Sequence, residues 1–272
     1  MERANPMDDT QFQRLLDYFC FSWKGYRKVR KGVKKRVGRH MQELNCRRVS
    51  EYLDIIDADP DLREACERAM SVSISRFFRD RELWRILEED ILQKLDACGI
   101  PIIRVWSSGC AAGEEVYSLK ILHARLAESG KCRAALWIFA SDLNPENLDR
   151  ARSGVYPASS LREVPDDLRD RCFDVVRRRR YAVKREFTSG IQWQRHHLLS
   201  DPLDSGFHVL FLRNNLLTYY QDRLKVPAFQ TLADTLLPSG YLIIGAHEKL
   251  PVSEFKFVRY HRNPHIFQKQ PT

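Results

Sequence analysis

Residues 106–115 read WSSGCAAGEE. Two glycines and a run of small residues end in two carboxylates. The stretch follows IIRVW (102–106), a short apolar and β-branched run with the character of a buried strand. It precedes EEVYSLKILHARLAES, whose apolar spacing is that of an amphipathic helix. It is therefore a strand-to-helix turn, and the kind of turn decides the fold. Gly109 and Gly113 stand four apart, so the G-x-G-x-x-G dinucleotide pattern is absent, and no Gly-Lys-Ser/Thr follows to make a P-loop. A phosphate needs bare N–H groups and positive charge at a helix start. Glu114 and Glu115 would repel it. They suit a ligand that carries positive charge and hydroxyls.

The same alternation continues outward. ALWIFAS (135–141) is a second buried strand that ends at Asp142. Asn144 and Pro145 then open a helix that stops at Gly154. FHVLFLRN (207–214) and YLIIGAH (241–247) are further strands, and FKFVRYHRNPHIFQKQ reads as two strands around an Asn-Pro turn. YAVKREFTSGIQWQRHHLL alternates around Ser-Gly and predicts a β-hairpin at about 181–199. Strands alternating with helices from residue 100 onward imply a mostly parallel, Rossmann-like sheet with an antiparallel C-terminal edge. In such a sheet the ligand lies at the carboxyl ends of the strands, over the first strand-helix turn. S-adenosylmethionine fits that place: it has a sulfonium, an ammonium and a ribose diol, and no phosphate. Asp142 would then hold the ribose hydroxyls. The bland alternative is a pair of helix-capping carboxylates in an unrelated α/β protein.

The N-terminal third is different. Between Asp17 and Glu43 there is no acidic residue and there are nine basic ones: Lys24, Arg27, Lys28, Arg30, Lys31, Lys34, Lys35, Arg36 and Arg39. Tyr26, Val29, Val33, Val37, Met41 and Leu44 recur at helical spacing among them. The segment is an amphipathic helix with a basic face, although Gly25, Gly32 and Gly38 each weaken it by about 1 kcal/mol relative to Ala. Helical patterns continue to a long helix near 81–95. The division expected is an all-helical domain over 1–96 and an α/β domain over 97–272. The formal charge of +9 favours an acidic partner. Seven scattered cysteines without a C-x-x-C pair suggest a reduced, cytoplasmic protein with no metal site. No apolar run is long enough to span a bilayer, and MERANPMDDTQF has no apolar signal-peptide region.

Five stretches, in order, carry a resemblance: SRFFRD (75–80), VWSSGCAAGEEVYSL (105–119), ASDLNPENLDRARSGVY (140–156), LFLRNNLLTYY (210–220) and LPSGYLIIGAHEKL (237–250). The chain resembles the CheR-type chemotaxis methyltransferases, which esterify glutamates on receptor proteins. The resemblance implies a class I methyltransferase fold, S-adenosylmethionine as cofactor and S-adenosylhomocysteine as product. It implies that Arg79 lies beside cofactor and reacting carboxylate, and that Ser73 and Ser75 touch the cofactor where the family usually has Asn and Thr. Glu115 and the small residues 107–113, Gly109 and Gly113 among them, would meet its methionine end, and Asp142 its ribose. The family's adenine-framing Asn-Leu pair aligns with His197 and Leu198. Arg213 and Asn214 match an Arg-Asn at the end of the fourth strand. Tyr219 matches the second active-site residue if NNLLTY carries one inserted residue; Tyr220 is the alternative. The basic face, through Lys24, Arg27, Lys28, Lys31, Lys35 and Arg39, would receive an acidic helical segment such as a chemoreceptor signalling domain. A monomer without membrane insertion is expected. The departures at Ser73 and Ser75, at His197 and in the lengthened RNNLLTYY leave room for a small carboxylic acid or RNA as acceptor, and a cofactor-binding signalling module with weak catalysis is a further reading. No Asn/Asp-Pro-Pro-aromatic signature of amino-group methylation is present.

Overall fold

The computed structural model describes residues 7–177, 179–201, 204–251 and 257–271. The chain forms two compact units. The first contains the chain up to Val72 together with Asn214–Pro227; the second contains Ser73–Arg213 and the chain from Ala228 onward. The division at Val72/Ser73 corrects the boundary expected at 96. The helix near 81–95 is apolar on the side that packs into the α/β core, through Leu83, Trp84, Ile86, Leu87, Ile91, Leu92 and Leu95, so it belongs to the second unit.

The first unit is helical: α1 (Asp9–Tyr18), α2 (Trp23–Tyr26), α3 (Arg30–Glu43), α4 (Val49–Ala58) and α5 (Pro60–Met70). α1 opens with a capping box, in which Asp8 and Gln11 side chains each accept the other's backbone N–H. The basic segment is two helices rather than one, separated by a turn at Arg27–Val29. Its apolar stripe faces inward as expected: Tyr26, Val33, Val37 and Met41 are buried with Phe12, Leu15, Tyr52, Ile56 and Cys66. A short later helix, Leu216–Tyr219, completes this core. The Ser22 N–H donates to the Tyr219 carbonyl at 2.7 Å and the Gln221 N–H to the Cys20 carbonyl at 2.7 Å.

The second unit begins with the segment 73–80. Then come α6 (Arg81–Ile86), a π-helical turn (Leu87–Ile91) and α7 (Leu92–Ala97). Next are β1 (Ile102–Ser108), α8 (Glu114–Glu128), β2 (Ala135–Asp142), α9 (Pro145–Ser153), β3 (Val155–Pro157), α10 (Asp166–Cys172), β4 (Phe173–Val175), β5 (Arg180–Val183), β6 (Ile191–Arg195) and β7 (Phe207–Leu212). The helix Leu216–Tyr219 is α11, and α12 (Asp222–Asp234) follows it. The chain closes with β8 (Leu236–Ile244), β9 (Phe257–Arg259) and β10 (Ile266–Lys269). The main sheet has the order β6-β2-β1-β7-β8-β10-β9. The first five strands are parallel, and β10 and β9 form the antiparallel edge. The order reverses between β1 and β7, which is the switch point where open sheets bind ligands.

The hairpin expected at about 181–199 does not form. β5 lies in a separate three-stranded sheet of order β3-β5-β4, and β6 is an edge strand of the main sheet. Gly190 explains the difference. Its φ is +71°, and an added Cβ would stand 2.8 Å from the Leu136 carbonyl oxygen. Its own carbonyl accepts the Ile138 N–H at 2.9 Å. Ser-Gly therefore docks the chain onto β2 instead of turning it back on β5.

Candidate active site

The loop 109–113 is bent by three left-handed residues, Gly109 (φ +71°), Ala111 (φ +50°) and Gly113 (φ +88°). It folds onto the end of β2. The Cys110 N–H donates to the Ser141 carbonyl at 2.9 Å, and the Ala111 N–H to Asp142 Oδ2 at 2.9 Å. The Tyr156 hydroxyl donates to the Ala112 carbonyl at 2.6 Å. Gly113 has a packing reason to be glycine: a Cβ there would lie 2.9 Å from both Ala151 Cβ and Trp193 Cη2. Gly109 is exposed, whereas Cys110, Ala111 and Ala112 are buried. Burial also keeps the Cys110 thiol protonated, well above its usual range.

Asp142 stands where the strand pattern placed it, at the carboxyl end of β2. Its Oδ1 accepts the Asn144 N–H at 2.9 Å and Asn147 Nδ2 at 3.1 Å. Burial raises its pKa, and these hydrogen bonds partly offset that. Asn147 also donates to Ser73 Oγ at 2.8 Å, which brings Ser73 into the same cluster. Sequence reasoning missed Asn147; its only signal was a polar side chain on the first turn of a helix that starts beside Asp142. His197 and Leu198 lie just beyond β6 after His196, half-buried, and the His196 N–H donates to the Asp142 carbonyl at 3.2 Å. The expected adenine pair thus follows a residue that is bonded to the Asp142 backbone. The His197 N–H is held by Asp201 Oδ2 at 2.7 Å.

The two glutamates diverge. Glu114 is buried, and burial raises its pKa, with the hydroxyls of Ser160 and Ser75 partly offsetting the shift. Ser75 therefore faces Glu114. Glu115 accepts Ser107 Oγ at 2.9 Å on one oxygen and Arg213 Nη1 at 2.9 Å on the other. Arg213 reaches across to Asp80 with its second nitrogen. The cation at this loop is thus already matched by two carboxylates, and a phosphate would find no free positive charge on it.

Arg79 lies on the segment that leads into α6. The Phe77 N–H donates to the Ser160 carbonyl at 3.0 Å and the Phe78 N–H to Ser118 Oγ at 2.9 Å. Trp84 Nε1 donates to the Arg79 carbonyl at 2.8 Å. Arg79 pairs with neither of its carboxylate neighbours, Asp80 and Glu82. Asp80 pairs with Arg213 and Glu82 with Arg85, and among the described residues Arg79 makes no ion pair. Its Nη1 donates to the Ile74 carbonyl at 3.2 Å.

The family described as CheR methyltransferase, SAM binding domain, matches residues 73–263. The chain belongs to the CheR methyltransferase family. Its SAM-binding domain begins at Ser73, the first residue of the second compact unit. The chain is 32% identical over 200 residues to a chemotaxis protein methyltransferase of Listeria innocua, covering 74% of each. A Listeria monocytogenes relative of the same name is 31% identical over 200 residues, again 74% of each. Chemotaxis protein methyltransferase 1 of Pseudomonas aeruginosa is 30% identical over 224 residues, 80% of this chain and 81% of the relative. The cofactor is S-adenosylmethionine, and the donor set fits it. Carboxylates at the ends of β2 and at the start of α8 suit hydroxyls and an ammonium, and the cation is neutralised.

The remaining site residues of the sequence reading lie in the first unit. Tyr219, on α11, is half-buried with its ring edge-on to Tyr26 at 5.0 Å. Tyr220 packs edge-on to Phe21 at 4.8 Å, and burial raises its phenol pKa. Asn214 has φ +55°. Of the nine cations, Arg30 and Lys34 pair with Asp9, and Arg36 donates to the Ala69 and Ser71 carbonyls. Lys24, Arg27, Lys28, Lys31, Lys35 and Arg39 are exposed and make no ion pair among the described residues. No described helix is long and apolar enough to cross a membrane.

Proposed function

We propose that this methyltransferase esterifies glutamate side chains of an acidic, helical chemoreceptor segment, with Arg79 and Tyr219 orienting the acceptor carboxylate. The observation that carries the reading is Arg79: a cation at the cofactor end of the fold, fixed through its backbone, whose guanidinium has no carboxylate partner among the described residues. The curated relatives are named chemotaxis protein methyltransferases, which supports methyl transfer to a chemotaxis protein.

Bound S-adenosylmethionine supplies a methyl group on a cationic sulfur. That group would be the methyl donor to one oxygen of an acceptor carboxylate, with a neutral thioether as the leaving group and an ester as the product. A glutamate is already ionised at pH 7, its ordinary pKa being about 4.3, so no general base is needed. The protein's part is to align the nucleophile and remove some of its water. Charge is neutralised as the reaction proceeds, so the contact with Arg79 must orient the carboxylate without trapping it. The exposed cations Lys31, Lys35 and Arg39 stand at i, i+4 and i+8 on α3 and suit a helical acidic partner.

The test is transfer of label from radiolabelled S-adenosylmethionine to acidic receptor fragments. A base-labile label marks a carboxyl ester. Base-stable label on amino groups or RNA would overturn the reading, as would wild-type turnover in both Arg79→Ala and Tyr219→Phe. Tyr219→Phe is expected to lower turnover with little change in cofactor affinity.

A further inference from the structure

Asp80 occupies the N-cap of α6, where an aspartate ordinarily accepts an N–H from its own helix. It makes no such bond. Its carboxylate instead pairs with Arg213, whose side chain is 5% exposed and which also binds Glu115. Glu115 in turn accepts the Ser107 hydroxyl. Four side chains, from the 73–80 segment, the residue just after β7, α8 and β1, thus form one chain of contacts. It starts one residue from Arg79 and ends at the loop that receives the cofactor.

The backbone beside Arg79 needs such a tether. Phe78 (φ +50°) and Asp80 (φ +66°) are both left-handed, and a residue between two such neighbours keeps its place only where the surroundings over-determine it. The Phe78 side is fixed by Ser118, by Ser160 through Phe77, and by the edge-on contact of its ring with Trp84 at 5.7 Å. On the other side, the pair with Arg213 is the contact that the Asp80 side chain makes with the sheet.

We propose that Asp80 is a positioning residue for Arg79. Its pair with Arg213 sets the direction in which Arg79 leaves the backbone, and the second fork of Arg213 links that direction to Glu115. By occupying Arg213, Asp80 also leaves Arg79 as the guanidinium open to the acceptor carboxylate. The inference rests on the reading of Arg79 given above.

Asp80→Asn is the discriminating variant, because Asn tolerates the left-handed conformation but loses the charge that holds Arg213. In the full-length protein it is expected to lower kcat on a receptor fragment about tenfold. The Kd for S-adenosylmethionine and the KM for the fragment should stay within about threefold, and the melting temperature within about two degrees. In an Arg79→Ala background the same change should have no further effect on kcat, since both act through one contact. Amide hydrogen exchange at Phe77, Phe78 and Leu83 should be at least about tenfold faster in Asp80→Asn than in wild type, both loaded with cofactor. Wild-type kcat in Asp80→Asn, full additivity with Arg79→Ala, or unchanged exchange over 77–83 would each overturn the inference. The exchange comparison needs no acceptor. Failure of wild-type protein to label any receptor fragment would count against the proposed function, while exchange alone still decides the role of Asp80.

Discussion

Gly25 offers a sharp test of how Tyr219 is held. It lies in α2, directly under α11, and a Cβ at this position would stand 2.2 Å from the Thr218 carbonyl oxygen, 3.1 Å from its carbon and 3.3 Å from Tyr219 Cα. Carbon and oxygen in contact settle at about 3.3 Å, so Gly25→Ala requires α11 to retreat by about 1 Å. Overpacking of this size costs about 1–3 kcal/mol of stability. A displacement of about 1 Å at a group that orients a reacting atom can cost about a hundredfold in rate. The expected result is a fall in kcat of about 10- to 100-fold, with the S-adenosylmethionine Kd, set by the second unit, within about threefold of wild type. Steady-state label transfer and calorimetric cofactor titration measure the two. Gly38→Ala is the control. It lies inside α3 with nothing within 4 Å of an added Cβ, and should raise helix stability by about 1 kcal/mol with unchanged kcat. Wild-type kcat in Gly25→Ala, or a crystal structure with Tyr219 unmoved, would refute the reasoning.

Gly113→Ala combines a left-handed φ, worth about 1–2 kcal/mol, with 2.9 Å contacts to Ala151 and Trp193, worth about 1–3 kcal/mol more. Calorimetry should show a melting temperature lower by roughly 5–15 °C; a shift under about two degrees would contradict the packing role. Glu114 has its folded pKa raised above the unfolded value of 4.5 by burial, so the folded state holds the extra proton between the two values. Its burial therefore costs stability increasingly as pH rises through that window, and Glu114→Gln should melt higher than wild type at pH 8, with the difference closing below pH 4.5. A pH-independent difference would argue against this account. Lys31, Lys35 and Arg39 replaced together by Glu should raise KM for an acidic acceptor by at least about tenfold at low salt and leave the cofactor Kd unchanged. The wild-type KM should itself rise with ionic strength, and a salt-independent KM would speak against steering by this face.

What the sequence made legible was what depends on local pattern. The β-branched run 102–106, the small residues after it and the acidic residue ending the second strand place the cofactor end of the sheet without knowledge of any contact. The apolar stripe of the basic helix likewise predicted which face is buried, because periodicity is a local property. The misreadings concern partners chosen at a distance. Alternation around Ser189–Gly190 looks the same whether the two strands pair with each other or with different sheets, and only the edge of β2 decides. Asp80 and Arg213 are 133 residues apart, so their pairing left no trace in spacing. Gly25 read as a weak point in a helix until Thr218 was found against it. Asn147 had a recognisable position but no feature to mark it off from any other polar residue on a helix.

The first unit is discontinuous, and this has a bearing on its synthesis. Phe21 bridges Tyr220, and the Gln221 side chain donates to the Phe21 carbonyl across 200 residues. At about 5–20 residues per second, a ribosome needs roughly 10–40 s to supply that closing segment after Phe21 has emerged. During this interval the helices that will pack around Tyr26 lack α11. A fragment cut at residue 72 or 96 would stay in that unfinished condition. The unit on which Tyr219 rides is therefore completed late, after strands β1 to β7 have been made, and only the last part of the second unit, with β8 to β10, is synthesised after it.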